Sequence, residues 1–422
     1  MSRAFRSLAG YNYRTWACGA LVSNIGTWMQ RVAQDWVVLT QLTRHNATAV
    51  GVVMALQFGP QVLLLPWTGF AADHWDRRKL LFATQGAMAA LALAQGLLLL
   101  GGRLQLWHVY GFALLFGIAA AFDAPVRLAF VTELVGEADL ANAVGLNSTS
   151  FNSARMIGPA LAGLLIAAAG AGWVFLFNAA SFLAVLGSLS LLRVAELHRS
   201  PPSGRSRGGL LEGFRYVWRR PDLRALLLMF FLIGTFGLNF PIFIATMAVS
   251  VFHKGPGQYG LLTSVMAIGS IAGALLAAAR TRPRLANLLG GAALFGAGVA
   301  LAAGMPSYAL FALALVPVGV AAQTFTTTAN SLVQLSTEPA MRGRVLAIML
   351  ATALGGTTFG GPMVGWVADR LGPRWALAVG ASSGFAAALV GLHHLARHRH
   401  LRLYFQAGRL RCSCDPAAAE AA

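Results

Sequence analysis

The chain has 422 residues, 57% of them apolar and only 11% charged, with a mean hydropathy of +0.64. A soluble protein carries about 25% charged residues, so this composition excludes a soluble fold and specifies an all-α membrane protein with many spans. The net charge of +18 would point to nucleic acid in a soluble chain, but its distribution along the loops gives another explanation.

Hydropathy and helix breakers predict twelve transmembrane helices, at 15–42, 48–72, 79–101, 105–133, 140–169, 172–192, 222–252, 257–279, 285–303, 306–335, 343–368 and 374–396. Residues 1–14 are short and basic, and the apolar run after them is too long for a signal-peptide core, so it reads as a retained first span. With the N-terminus in the cytoplasm, 24 of the 32 Lys and Arg fall in inner segments and five in outer ones. That bias places both termini in the cytoplasm and removes the need for a nucleic-acid partner. The chain divides into a six-helix half (1–192), a cytoplasmic linker (193–220), a second six-helix half (221–396) and a basic cytoplasmic tail (397–422). A shift of 202 residues lays Gly117 on Gly319, and Gly158 and Gly163 on Gly360 and Gly365. Two repeated halves around a midplane site is a transporter architecture. Cys18, Cys412 and Cys414 imply neither a structural disulfide nor a metal site.

The first span carries Arg31 and Asp35, four residues apart on one helical face. A charge at bilayer depth costs at least ~2.5–3.5 kcal/mol, so such residues mark function by default. Asn24 and Trp28 extend the stripe, and Gln30 and Gln34 lie beside it. This face is expected to line a watery cavity.

The loop after the second span reads Gly69-Phe70-Ala71-Ala72-Asp73-His74-Trp75-Asp76-Arg77-Arg78-Lys79. It resembles the signature Gly-x-x-x-Asp-Arg-x-Gly-Arg-Arg of the major facilitator superfamily. Gly69, Asp73, Arg77 and Arg78 match, while His74 and Asp76 replace an Arg and a Gly. The resemblance implies the twelve-helix major facilitator fold and a conformational latch between halves. In that latch Gly69 would allow close helix approach and Asp73 would accept hydrogen bonds from a helix N-terminus. The corresponding second-half loop, around Gly273 and Arg280, lacks the Asp. A further Gly365-x-x-x-Asp369-Arg370-x-Gly372 lies on the outer side and is given no latch role.

The fourth span holds Asp123 and Arg127, again four apart, and the fifth holds Arg155, Gly158, Pro159 and Gly163. Gly158-Pro159 with Gly163 resembles the antiporter motif of the family, in which a bend seals the substrate path. Together with Ser23 to Gln30, Asp35-Trp36 and Phe122 to Pro125, it looks like the branch of enterobactin-type siderophore exporters and macrolide effluxers.

Between the halves, Pro201 to Gly204 form a flexible linker. Leu210, Leu211, Phe214, Val217 and Trp218 then share one face of an amphipathic helix on the inner leaflet.

The buried charges Arg31, Asp35, Asp123, Arg127 and Arg155 all lie in the first half, which is therefore expected to perform proton coupling. Asp35 is the leading proton carrier: burial favours its neutral form and Arg31 its charged form. Asp123 is the second candidate, and both pairs also fit a purely structural role, since buried charges pair. Asn24, Trp28 and Gln34, with Phe236, Asn239 and Phe240 next to a kink at Pro241 and with Gln323, Thr327 and Asn330, are the candidate substrate-binding residues. Aromatic and amide groups suit a bulky amphipathic molecule.

These features predict a proton-coupled secondary exporter in the bacterial inner membrane, a monomer whose partners are a small-molecule substrate, protons and the lipid bilayer. A proton symporter or facilitator for a metabolite, and a non-transporting receptor, are the alternatives. No cofactor, metal or enzymatic activity is expected, and no phosphate-binding lysine motif points to ATP.

Overall fold

The computed structural model describes residues 3–198, 210–279, 285–398, 402–406 and 409–413. The linker stretch around Pro201 to Gly204, the inner arginines Arg280, Arg282 and Arg284, and Cys414 lie outside the described residues. The helices are α1 (Tyr11–Val37), α2 (Ala47–Leu63), α3 (Leu65–His74), α4 (Arg77–Leu100), α5 (Leu106–Ala169), α6 (Ala171–Ser190) and α7 (Leu210–Arg219). They continue with α8 (Pro221–Leu232), α9 (Phe240–Thr246), α10 (Pro256–Ala278), α11 (Leu285–Gly304), α12 (Tyr308–Ser336), α13 (Arg342–Leu371) and α14 (Pro373–His398). In the tail, β1 (Arg402–Gln406) pairs antiparallel with β2 (Arg409–Ser413).

Among the described residues, nine helices are long and apolar enough to cross a membrane, or ten if the bent pair α2–α3 is one span. α1 is not among them, because its polar stripe lowers its hydropathy. The 64-residue α5 would be about 96 Å long at 1.5 Å per residue, three times the ~30 Å hydrocarbon core. Its helical dihedrals break at Gly136 (φ 69°, ψ 179°), within the gap that hydropathy leaves between 133 and 140. Pro159 does not break the helix; Gly136 is the non-helical residue inside α5.

The span 221–251 is also interrupted, though not at a Pro241 kink. A π-helical turn at Ile233–Gly237 ends α8, and Pro241 sits in the first turn of α9, where its missing N–H costs nothing. α1 and α9 both end in π-helical turns, Val38–Leu42 and Met247–Val251. Each turn is followed by a histidine with positive φ, His45 (61°) and His253 (51°).

α1, α2, α4, α5 and α6 pack on one another, as do α8 and α10 to α14. α2 against α13 and α5 against α10 join the two sets. The glycines paired by the 202-residue shift make equivalent contacts. Gly117 abuts α2 and Gly319 abuts α10; Gly158 abuts α1 and Gly360 abuts Thr235. Gly163 abuts Pro256 at the start of α10, while Gly365 abuts Ala47 at the start of α2. The two helix-ending glycines share a conformation that L side chains rarely adopt, Gly170 at φ 96°, ψ 161° and Gly372 at φ 103°, ψ 160°.

α7 packs on α13 through Gly213, against Arg344 and Ile348, and through a Glu212–Arg344 ion pair of 3.1 Å. Leu211, Phe214 and Trp218 are exposed on it.

Candidate functional site: a buried carboxylate at the seam between the helix sets

Asp35 is buried near the end of α1, where α1 meets α10. The hydroxyl of Tyr259, on α10, donates to Asp35 Oδ2 over 3.2 Å, and the Tyr259 ring stacks on Trp36 at 6.3 Å. Among the described residues no ion pair within 4.0 Å joins Arg31 to Asp35, so the i,i+4 spacing yields neighbours rather than a salt bridge. The Arg31 guanidinium lies over the rings of Trp28 (4.9 Å) and Phe58 (5.7 Å) instead, within electrostatic reach of Asp35 and Arg155. A guanidinium is weakly hydrated and stacks readily on aromatic faces. Trp28 in turn meets Phe151 edge-on at 5.7 Å. Arg155, one turn beyond Phe151, donates to Ser270 Oγ on α10 over 2.8 Å. Side chains from α1, α2, α5 and α10 thus converge at the seam, with one carboxylate and two guanidiniums.

Asp123 sits in a separate cluster in which both of its carboxylate oxygens are hydrogen-bonded. Thr84 and Gln85 on α4 donate to its Oδ1 over 2.9 and 2.6 Å. Arg127 donates to Oδ2 through Nε and Nη2, over 3.1 and 2.9 Å. Arg127 also donates to Asn24 Oδ1 (3.3 Å) and lies over Trp16 (5.9 Å). Asn24 therefore belongs to the Asp123 cluster and not to the Arg31 stripe. The difference arises because α1 turns Asn24 toward Arg127 while Trp28 faces Phe151. Gln30, beside the stripe, accepts from Asn178 of α6 at 2.5 Å.

Near Asp35 one end of the bundle is sealed. A Cβ on Gly163 would stand 2.6 Å from the Pro256 carbonyl oxygen, and one on Gly51 would stand 2.7 Å from the Pro362 nitrogen. Gly260 lies directly against the Pro159 carbonyl. Asp369, at the end of α13, accepts from the Ala47 and Thr48 backbone N–H groups (2.7 and 2.8 Å) and from the Thr48 hydroxyl (2.5 Å). This carboxylate clamps the N-terminus of α2 across the seam, where the exposed N–H groups and helix dipole favour an anion. A pocket of 320 Å³ beside it is lined by Arg44, His45, Asn46, Thr246 and Ser250. At the opposite end, a Cβ on Gly69, Gly145 or Gly343 would meet nothing within 4 Å.

Residues 3–401 match the profile of a major facilitator family described as transmembrane secretion effector. The chain belongs to this family. It is a multi-pass membrane transporter of the major facilitator superfamily, moving a small-molecule substrate, and not an enzyme. It is similar to a staphyloferrin A transporter of Staphylococcus aureus, 29% identical over 60% of this chain and 63% of the relative, just under two thirds of its length. It is also similar to the enterobactin exporter EntS of Shigella flexneri, 26% identical over 84% of both chains. A third relative is the multidrug efflux pump Tap of Mycolicibacterium fortuitum, 27% identical over 84% of this chain and 88% of the relative. Among solved structures, a bacterial homologue of the human lysosomal transporter Spinster matches with a TM-score of 0.67 at 17% identity, covering 94% of this chain and 96% of that one. The nucleoside transporter NupG matches with a TM-score of 0.71 at 14% identity, covering 91% and 99%. Both share the fold.

In this transporter the loop resembling the family signature departs from its expected geometry. Gly69 does not enable close approach, since a Cβ there would meet nothing within 4 Å. Asp73 is exposed and, among the described residues, caps no helix. Asp76 is the N-cap of α4 instead, accepting from the Lys79 N–H at 3.0 Å. Arg77 pairs with Glu133 at 2.7 Å and Arg78 donates to the Leu189 carbonyl at 2.9 Å, both within the first helix set. Each of these arginine contacts is local, to α3, α5 or α6, and none of them reaches the second helix set.

The candidate substrate residues of the second set fall into two groups. Asn239 is fully buried and donates to the Thr235 carbonyl at 2.6 Å, with its Oδ1 unpartnered. Phe240 packs edge-on against Phe243 and Phe295, at 6.1 and 6.2 Å, within the second-set core. Phe236 is half-buried. Gln323, Thr327 and Asn330 form a half-buried stripe along α12, with Gln323 donating to Thr327 at 3.2 Å. Gln34 is buried on α1. Tyr259, Ser270, Phe58 and Phe151 complete the seam and were not singled out from sequence. Tyr259 and Ser270 carry no charge that would mark them in an apolar span.

Proposed function

We propose that this protein is a proton-coupled exporter of a bulky amphipathic small molecule, drug-like or siderophore-like, working by alternating access in the bacterial inner membrane. Its twelve spans form two six-helix halves, and the equivalent contacts of Gly117 and Gly319, Gly158 and Gly360, and Gly163 and Gly365 support that division. The excess of Lys and Arg in inner segments places both termini in the cytoplasm. The end sealed by Asp369 is then the outer one, and the molecule is inward-facing.

The observation that carries the reading is Asp35, a buried carboxylate on the seam that opens and closes, held from the other half by Tyr259 and within electrostatic reach of Arg31. A carboxylate whose surroundings change between states binds and releases a proton as the halves rock. Asp123 already holds four hydrogen bonds and is assigned a structural role. Partly buried Trp28, Phe58 and Phe236 and exposed Phe151 offer rings to an apolar substrate, and the α12 stripe offers amides and hydroxyls. The relatives named as siderophore transporters and a multidrug pump support a substrate of this kind.

The test is accumulation of a panel of drugs and siderophores in cells with and without the protein, with and without a proton uncoupler. The proposal expects at least one compound to be depleted by the protein and restored by the uncoupler. Depletion that is insensitive to the uncoupler contradicts it.

A further inference from the structure

We infer that Tyr259 is a positioning residue for proton exchange: its hydroxyl holds Asp35 as a carboxylate while the outer end is sealed and releases it when that end opens. The inference rests on Asp35 as the proton carrier. Tyr259 is 1% exposed, and its ring is fixed by stacking on Trp36. Its hydroxyl crosses from α10 to Asp35 on α1, the two ends of the bond lying in different helix sets. The neighbouring Gly260 packs directly on the Pro159 carbonyl, so the Tyr259 segment is part of the seal itself. Any motion that parts α10 from α5 and α1 at this end draws the hydroxyl away.

The other charged group acting on Asp35 is Arg31 from its own helix, and Arg155 from α5 acts in turn on Arg31. α2 and α9 bring no ionisable side chain. Arg31 and Arg155 sit in the first set together with Asp35 and travel with it. Tyr259 is thus the polar partner whose contact depends on the state of the seam. A hydroxyl donating to a carboxylate favours the charged form. In the sealed, inward-facing state the bond favours proton release toward the open inner side. With the outer end open the bond is absent, and Asp35 takes a proton from outside more readily. The asymmetry eases loading from outside and release inside, while the proton gradient sets the direction of net movement.

The experiment is infrared difference spectroscopy of the full-length protein in lipid nanodiscs, titrated with pH. Loss of a protonated-carboxyl band in Asp35→Asn identifies the Asp35 signal. Tyr259→Phe keeps the ring and the Trp36 stack but removes the donor. The Asp35 midpoint is expected to rise by about one pH unit, the shift that loss of a hydrogen bond to a charged group produces. In a Thr48→Cys/Asp369→Cys protein, locked sealed by its disulfide, the wild-type midpoint should fall below that of the reduced protein. The same lock should leave the Tyr259→Phe midpoint in place. An unchanged midpoint in Tyr259→Phe, or a lock effect that persists without the hydroxyl, overturns the inference. Failure of the underlying reading looks different. There, Tyr259→Phe shifts the Asp35 band while Asp35→Asn retains uncoupler-sensitive transport, and the role in exchange is lost.

Discussion

Replacing Asp369 by alanine should open the sealed end of the bundle without unfolding it. The carboxylate accepts three hydrogen bonds from Ala47 and Thr48, so it acts as a cap on α2 supplied by the other helix set. α2 also has its own cap, because the Asn46 side chain accepts from the Ala49 N–H at 2.8 Å. Loss of Asp369 therefore weakens the seam more than the helix. Capping substitutions cost about 0.5–2 kcal/mol, and the exposure of Asp369 argues against exceeding that range. A loss of about 1–2 kcal/mol shifts a two-state balance about 5–30-fold. The assay is pulsed electron spin resonance between labels on exposed loops of the two sets, at Arg103→Cys and Lys254→Cys, with the native cysteines replaced by serine. The population with the longer inter-label distance should rise by that factor in Asp369→Ala. An unchanged distance distribution refutes the clamp.

Gly163→Leu, placed 2.6 Å from the Pro256 carbonyl, should prevent the outer end from closing and abolish transport while expression is retained; normal transport would contradict the close-packed seal. Asp123→Asn breaks a buried ion pair with Arg127 and should lower thermal stability in detergent, the loss of one partner of such a pair costing about 3–5 kcal/mol. Asp35→Asn, with no ion pair to break, should leave the melting temperature nearly unchanged. A spin label at Trp218→Cys should be more accessible to oxygen than to a polar nickel chelate, since exposed Leu211, Phe214 and Trp218 share a face of a helix joined through Arg220 to the span at Pro221. The reverse ratio would place α7 in water.

The charges were legible in the sequence because hydrocarbon tolerates few of them, and the five residues from Arg31 to Arg155 do lie inside the bundle. Their pairing was not legible. Asp123 and Arg127 meet as i,i+4 spacing predicts, whereas Arg31 turns onto Trp28 and Phe58 because aromatic faces from two helices converge there. Spacing along one helix cannot reveal a partner on another. For the same reason Tyr259, 224 residues from Asp35, passed as an ordinary aromatic in an apolar span. The Gly365-x-x-x-Asp369 stretch was visible as a motif, but its role depends on which helix N-terminus faces it, and that is set by the packing of α2 on α13. The loop at Gly69 to Lys79 shows the converse: its residues match a family signature, and in this conformation they bind only their own helix set.

The most direct test of the account is proton-gradient-driven transport in proteoliposomes, using a compound that the cell panel identifies, with wild type and Asp35→Asn compared at equal protein content. An imposed pH gradient should drive concentrative transport in wild type and none in Asp35→Asn. Gradient-driven accumulation that survives intact in Asp35→Asn would contradict the account.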